Sequence, residues 1–368
     1  MVEYYGEQRN VRLDLGSAGI GDYVYAQGGI IVRSIPEKEA LEVLDAWKEL
    51  FVELKKIDEE RSRLKDHKLA SNTLELFQKI NQNKGLSKEE ALRLLKLENE
   101  SELDLFFNLA NNIRQKNHGN AACVHGIVEF SNYCSSNCLY CGIRSSSGAK
   151  RYRMNAEEIF QACEHAVKKL NFFALLLQSG EDPDFDEDML FKVLERLKKL
   201  EILVILSLGD KSPELYRKLY DKGARGALLR FESSNKDIFE NMRPGTSLEK
   251  RLELIKKIKE TGYILATGFL TGLPQETDED IYNNIMLTKS LKPDMYSFGP
   301  LIRAYGTPLE NHAQGDFNKI LKTIALARVI DKDCNILVTT AMETLQKGAL
   351  KPALEAGANS LMLNITPK

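Results

Sequence analysis

Residues 124–141 read Val124-His125-Gly126-Ile127-Val128-Glu129-Phe130-Ser131-Asn132-Tyr133-Cys134-Ser135-Ser136-Asn137-Cys138-Leu139-Tyr140-Cys141. The stretch 124–130 is a β-rich apolar run, and three cysteines follow it directly, spaced C-x₃-C-x₂-C. Beyond this junction candidate strands recur at 173–178, 202–207, 226–231, 264–270, 294–298, 335–339 and 360–363. Amphipathic helical stretches separate them, at 155–169, 186–199, 213–222, 248–261, 277–290, 317–330 and 344–356. Such regular alternation predicts an α/β fold of the (β/α)₈ TIM-barrel type; a doubly wound open sheet is the alternative. No eighth helix follows the last strand before the sequence ends at Lys368.

Upstream, residues 72–117 are helical by periodicity, and Ser87 with Glu90 has the spacing of a capping box. From Glu37 a further helical pattern carries Ala40, Leu41, Leu44, Trp47, Leu50, Phe51 and Leu54, then fades into the charged run Lys55 to Lys68. Residues 1–35 read as short strands: Val11 to Leu15 alternates, Gly21-Asp22 is a turn, and Tyr23-Val24-Tyr25 and Ile30-Ile31-Val32 are β-rich. The expected organisation is a small β module with its helix over 1–66, a helical extension over 72–120 and the barrel over 121–368.

The 51 basic and 53 acidic residues are interspersed, which predicts no nucleic-acid partner. No apolar run is long enough for a membrane span, and Met1-Val2-Glu3-Tyr4-Tyr5 does not open a secretory signal. A cytoplasmic location is the expectation, and in reducing surroundings clustered cysteines read first as a metal site. A structural zinc site wants four ligands, usually in paired arms, and only three cysteines cluster here. Three thiolates on a 4Fe–4S cluster would leave one iron open to an exchangeable ligand. Cys123, Cys163 and Cys334 lie apart from them and read as small buried hydrophobes.

Barrel enzymes carry their chemistry at the C-terminal ends of the strands. Here those ends turn polar or glycine-rich, as in Gln178-Ser179-Gly180-Glu181, Ser207-Leu208-Gly209-Asp210, Arg230-Phe231-Glu232-Ser233, Gly272-Leu273-Pro274-Gln275 and Thr339-Thr340-Ala341-Met342. The cysteine spacing, with aromatic Tyr140 before the last cysteine, resembles the radical SAM superfamily. Together with Arg151-Tyr152-Arg153-Met154 and Met242-Arg243-Pro244, these strings resemble its HydE branch, the maturases of FeFe-hydrogenase, over residues 75–366.

That resemblance implies a 4Fe–4S cluster on Cys134, Cys138 and Cys141, with S-adenosylmethionine (SAM) on the open iron. It further implies that Glu232 holds the SAM ribose and Arg251 the methionine carboxylate. Gln178, Ser179 and Glu181 would lie beside the amino group, and Met295 would line the cavity next to SAM. Arg230 with Thr339 and Thr340 would anchor a carboxylate-bearing, cysteine-derived substrate. No catalytic side chain beyond cluster and SAM is assigned. A low-potential donor such as ferredoxin or flavodoxin is the implied electron source, with hydrogenase maturation proteins as partners. Members of this branch carry a segment after the eighth strand that completes the barrel and adds tyrosines. Its lack predicts a fragment or a different pocket, poor turnover of the full reaction, and a weakly covered eighth strand near Leu361 and Leu363.

Residues 3–50 resemble the HypC family of hydrogenase assembly chaperones, through Val11-Arg12-Leu13, Gly21-Asp22-Tyr23-Val24 and Gly29. That family holds iron through a cysteine and a histidine. Here Gln27 stands at the histidine position and no Cys or His precedes His67, so the expectation is a docking module without iron. Two other functions fit the chain: a biotin synthase-like or methylornithine synthase-like enzyme, and a non-catalytic assembly scaffold. The intact cysteines count against the scaffold.

Overall fold

The computed structural model describes residues 1–367 apart from 6, 15–17, 28, 64–68, 70 and 120–121. Leu15, Gly28, and Leu64 to Lys68 with His67 among them therefore lie outside the described residues. Two short hairpins come first, β1 (Val2–Tyr4) with β2 (Glu7–Arg9) and β3 (Val24–Gln27) with β4 (Ile30–Ser34). The helices α1 (Glu37–Arg61), α2 (Ser71–Asn81), α3 (Lys88–Leu95) and α4 (Glu100–His118) follow. The Ser87–Glu90 capping box opens α3 as its spacing predicts.

The barrel begins with β5 (Cys123–Ser131) and α5 (Ala156–Leu170), then β6 (Ala174–Ser179) and α6 (Glu187–Leu197), β7 (Leu203–Ser207) and α7 (Pro213–Asp221), and β8 (Gly226–Leu228) with α8 (Lys236–Met242) and α9 (Leu248–Thr261). It continues through β9 (Ile264–Thr267), β10 (Leu270–Thr271), α10 (Asp278–Ser290), β11 (Met295–Pro300), α11 (Phe317–Ile330), β12 (Asn335–Val338), α12 (Thr340–Leu345), α13 (Leu350–Glu355) and β13 (Ser360–Asn364). Every neighbouring pair is parallel. β13 pairs with β5 and β11 with β9, so the sheet closes and the open-sheet alternative is excluded. No described helix is long and apolar enough to cross a membrane.

Strands buried on both faces read as nearly unbroken apolar runs, as in Ala174-Leu175-Leu176-Leu177. Ile127, Leu176, Leu203 and Ile205 fill the interior; Val128, Leu177, Val204 and Leu206 meet the helical jacket. Three elements of the barrel differ from expectation for local reasons. The expected strand 264–270 breaks into β9 and β10, because at Gly268 the chain runs against strand β11. A Cβ there would stand 2.3 Å from the Ser297 carbonyl oxygen. The expected helix 344–356 splits into α12 and α13 at Gly348, which has φ +83°. The seven-residue α8 went unexpected because so short a helix leaves little periodic signal.

The N-terminal end of the barrel is stoppered by the β3–β4 hairpin. Ile30 packs among Ile127, Ala174, Leu203, Ile264, Met295 and Met362. Gln27 donates to the Val124 carbonyl at 2.5 Å, and Phe173 is flanked by Tyr25 and by the Arg33 guanidinium. The Val11 to Leu15 strand is not formed over its described residues, of which only Arg12 makes a single bridge, to Ile30. At the closure of the barrel, Ile365 lies over the outer face of strand one at Gly126, while Leu363 of strand eight is exposed.

Candidate functional site

At the opposite end, β5 delivers the cysteine loop, and the sequence around it is built to hold that loop still. Ser131 Oγ donates to Asp182 at 2.6 Å. Arg153 adds a two-pronged bond to the same carboxylate, 2.7 Å on each arm, and lies 3.7 Å over the Tyr133 ring. Arg151 donates to the carbonyls of Asn132, Ile143 and Arg144. At Gly180 a Cβ would stand 2.2 Å from the Tyr133 carbonyl oxygen and 2.8 Å from Cys134 Cβ, so only glycine lets strand two pass so close.

Cys138 is buried, and Cys134 and Cys141 are half-buried. Burial pushes the Cys138 thiol up to about 11 and raises Cys141 as well. Each of these thiols also feels the charges of Glu232 and Arg243, so the loop faces those two residues. Among the described residues no three His, Cys, Asp or Glu side chains gather around one point as a single metal ion requires. A cluster that takes each thiolate on a different iron asks for a wider spread.

Beside the loop four charges interlock. Arg243 Nη2 lies 2.9 Å from Glu181 and 3.5 Å from Asp210; Arg251 Nη2 lies 3.0 Å from Asp210 and 3.5 Å from Glu181. Burial alone would raise the Glu181 carboxyl, but the Arg243 guanidinium, Ser136 and Arg251 together hold it below its usual range. For Asp210 burial wins, and its carboxyl is raised. The Arg243 Nη1 donates to the Tyr140 hydroxyl at 3.5 Å. Gly209 makes room for Glu181, whose Cγ would be 2.2 Å from any Cβ there.

Several buried atoms of this rim have no hydrogen-bond partner: Glu232 Oε2, Arg243 Nε, Arg251 Nε and Nη2, and Thr339 Oγ1. Arg251 Nη2 is within ion-pair distance of Asp210 without being aligned to it, and the same holds for Glu232 Oε2 and Arg230 Nε at 3.3 Å. Glu232 sits in a left-handed backbone conformation, φ +62°. It is held there because its N–H and that of Phe231 both donate to the Gly268 carbonyl. Unsatisfied buried carboxylate and guanidinium atoms on one rim suit a ligand bearing both donor hydroxyls and a carboxylate.

The expected residues divide between the two ends of the barrel. Arg251 is buried on α9 rather than a surface helix residue. Gln178 points to Glu129 at 3.4 Å, and Ser179 donates to the Gly180 carbonyl. Thr339 stands at the N-cap position of α12 without a side-chain cap bond, beside Gly299, where a Cβ would stand 2.4 Å from its hydroxyl; Thr340 is exposed. Met295 opens β11 toward the stoppered end, inside the barrel and next to Ser360 Oγ at 3.8 Å, five steps of roughly 3.3 Å before the strand's last residue. Sequence reasoning assigned no role to Arg243, Asp210 or Glu129. Arg243 and Asp210 fell inside quoted strings, while Glu129 gains significance only through Gln178 and Asn364, which bond it from neighbouring strands.

The chain matches the Radical SAM superfamily over residues 128–287 and the Biotin and Thiamin Synthesis associated domain over 297–365. It is 40% identical over 265 residues to the [FeFe] hydrogenase maturase subunit HydE of Thermotoga maritima, covering 72% of this chain and 76% of that protein. It is 30% identical over 304 residues to 3-methylornithine synthase of Methanosarcina acetivorans, covering 82% and 85%. The structure of methylornithine synthase superposes with a TM-score of 0.73 at 25% identity, covering 78% of this chain and 85% of that one. That of HydG, a maturase of the [FeFe]-hydrogenase, superposes with 0.69 at 22% over 84% and 71%, a likeness of fold. Both family matches begin beyond the N-terminal hairpins, and the HypC resemblance gains no support from them.

Proposed function

The chain belongs to the radical SAM superfamily, and from that premise we propose that it is a HydE-type maturase acting on a small, sulfur-bearing amino-acid precursor of a hydrogenase cofactor. Members of the superfamily use a 4Fe–4S cluster and SAM. The residues of this rim fit both: three thiols on one loop stand beside a buried carboxylate and guanidinium with unpartnered atoms. That juxtaposition carries the reading. Bound here, the pair would supply one-electron reductive cleavage of SAM and, from it, hydrogen-atom abstraction.

The chain's own share is to bind, orient and exclude water. Cys134, Cys138 and Cys141 hold the cluster, with Tyr140 packed beside them. Glu232 accepts from the ribose hydroxyls through Oε2, and Arg251 turns its free Nε to the methionine carboxylate. Gln178 and Ser179 flank the amino group. Glu181 is already engaged by Arg243, Ser136 and the Asp210 N–H, so it orients the two guanidiniums. Arg230, with Thr339 and Thr340 across the mouth, takes the substrate carboxylate. A ferredoxin or flavodoxin supplies the electron.

Reconstituted anaerobically, the protein should bind about four irons and cleave SAM when reduced. Turnover of a cysteine-bound iron dicarbonyl cyanide complex would support the maturase. Formation of 3-methylornithine instead would favour the second reading, which the methylornithine synthase likeness keeps in view.

A further inference from the structure

The helix α1 is fastened along one side. Ala40, Phe51 and Asp58 are buried, Phe51 lies against Tyr4 and Tyr5, and Asp58 accepts from Asn111 at 2.8 Å and pairs with Arg114 at 3.1 Å on α4. Next to that buried face runs a second apolar row that nothing in the described chain covers. Val43, Trp47, Leu50 and Leu54 are exposed by 50%, 54%, 41% and 38%, and half-buried Ile57 ends the row. Their spacing of four, three, four and three residues is that of a coiled-coil seam, in which each side chain is a knob for a facing helix. At 100° per residue, Glu42, Glu49, Glu53 and Glu60 follow the seam on the edge away from the barrel, all exposed. Glu39 joins that edge and is bonded to Arg33.

We propose that the α1 seam docks an amphipathic helix of a partner protein whose apolar seam is flanked by lysine or arginine. The acidic edge chooses the occupant. In a second copy of this chain, antiparallel pairing would set these glutamates against their own counterparts. Parallel pairing would bring each copy's acidic edge against the flank of the other's α1 that the barrel body already fills. An anionic membrane is disfavoured by the same charges. Trp47 at the centre of the row supplies the large, rigid anchor that helix-in-groove interfaces use.

Trp47 is the one tryptophan of the chain, so its emission reports on this surface alone. The whole 368-residue chain would be titrated with two synthetic four-heptad helices, identical at their leucine seam and carrying lysine or glutamate at the flanking positions. The lysine-flanked peptide is expected to shift Trp47 emission to the blue and to bind more weakly in high salt. Leu50→Asp should weaken that binding at least about tenfold with circular dichroism and SAM cleavage unchanged. The double variant Glu49→Lys/Glu53→Lys should exchange the preference to the glutamate-flanked peptide. Equal binding of both peptides, binding of neither, or no exchange in the double variant would overturn the proposal. So would a blue shift that grows with protein concentration alone, meaning a second copy, or one produced by phosphatidylglycerol vesicles, meaning a membrane.

Discussion

The two ends of this barrel are made from the same strands and have been treated in opposite ways. At the C-terminal rim, Glu181, Asp210, Arg243 and Arg251 crowd beside three thiols, and buried polar atoms stand without partners. At the floor, Ile30 from the N-terminal hairpin closes an apolar plug of Ile127, Ala174, Leu203 and Ile264. A barrel stabilised at one end can hold unsatisfied charge at the other. The contrast predicts that rim variants lose chemistry while keeping their fold, and that floor variants do the reverse.

The largest effect should come from Cys138→Ala. Iron content and SAM cleavage should both fall to background while circular dichroism and melting of the apoprotein barely change. A variant that still cleaves SAM would remove the rim from the comparison. Ile30→Ala takes the plug instead. Deleting a buried isoleucine side chain costs about 2–5 kcal/mol, so urea midpoints should drop while SAM affinity of the remaining folded protein holds. A loss of SAM affinity there would mean that the floor reaches the site.

His125 sharpens the floor's side. Burial lowers its pKa from 6.5 to about 4, leaving it neutral in the folded chain. The unfolded chain takes up this proton below pH 6.5 and the folded chain only near 4, so stability is full above 6.5 and declines between those values. Below pH 4 the loss is complete, at up to about 3 kcal/mol. His125→Gln should flatten that part of the stability–pH curve, measured by urea denaturation; an unchanged slope would place the histidine in contact with water. Arg251→Ala is the smallest of these. Loss of a charge-assisted hydrogen bond of about 1.5–3 kcal/mol should weaken SAM binding roughly 10- to 150-fold with iron content unchanged. Unaltered affinity in equilibrium binding would return Arg251 to a purely structural pairing with Asp210.

Much of this was legible beforehand. Apolar runs such as Leu203-Val204-Ile205-Leu206 and capped amphipathic helices announce themselves, because burial on two faces or on one leaves a period in the residues themselves. The cysteine triad is equally local, since its spacing lies within one loop. Met295 shows the limit. It stands at the start of β11, paired with Ala266 of β9, and depth along a strand depends on which residue pairs with which neighbour. Arg243 is another case: it becomes a site residue only because unheralded α8 ends there, bringing its guanidinium to Glu181 in the loop after β6.

By itself the sequence determined most elements of the barrel, their order, and the chemistry of the cysteine loop, because these rest on contacts between residues close along the chain. Tertiary structure alone decided that Glu181, Asp210, Arg243 and Arg251 share one desolvated rim, and that a hairpin ending at Ser34, 89 residues upstream of the start of β5 at Cys123, stoppers the opposite end. Closure of the sheet fixes those encounters, and no periodicity within a strand or helix records where a closed ring will bring its ends together.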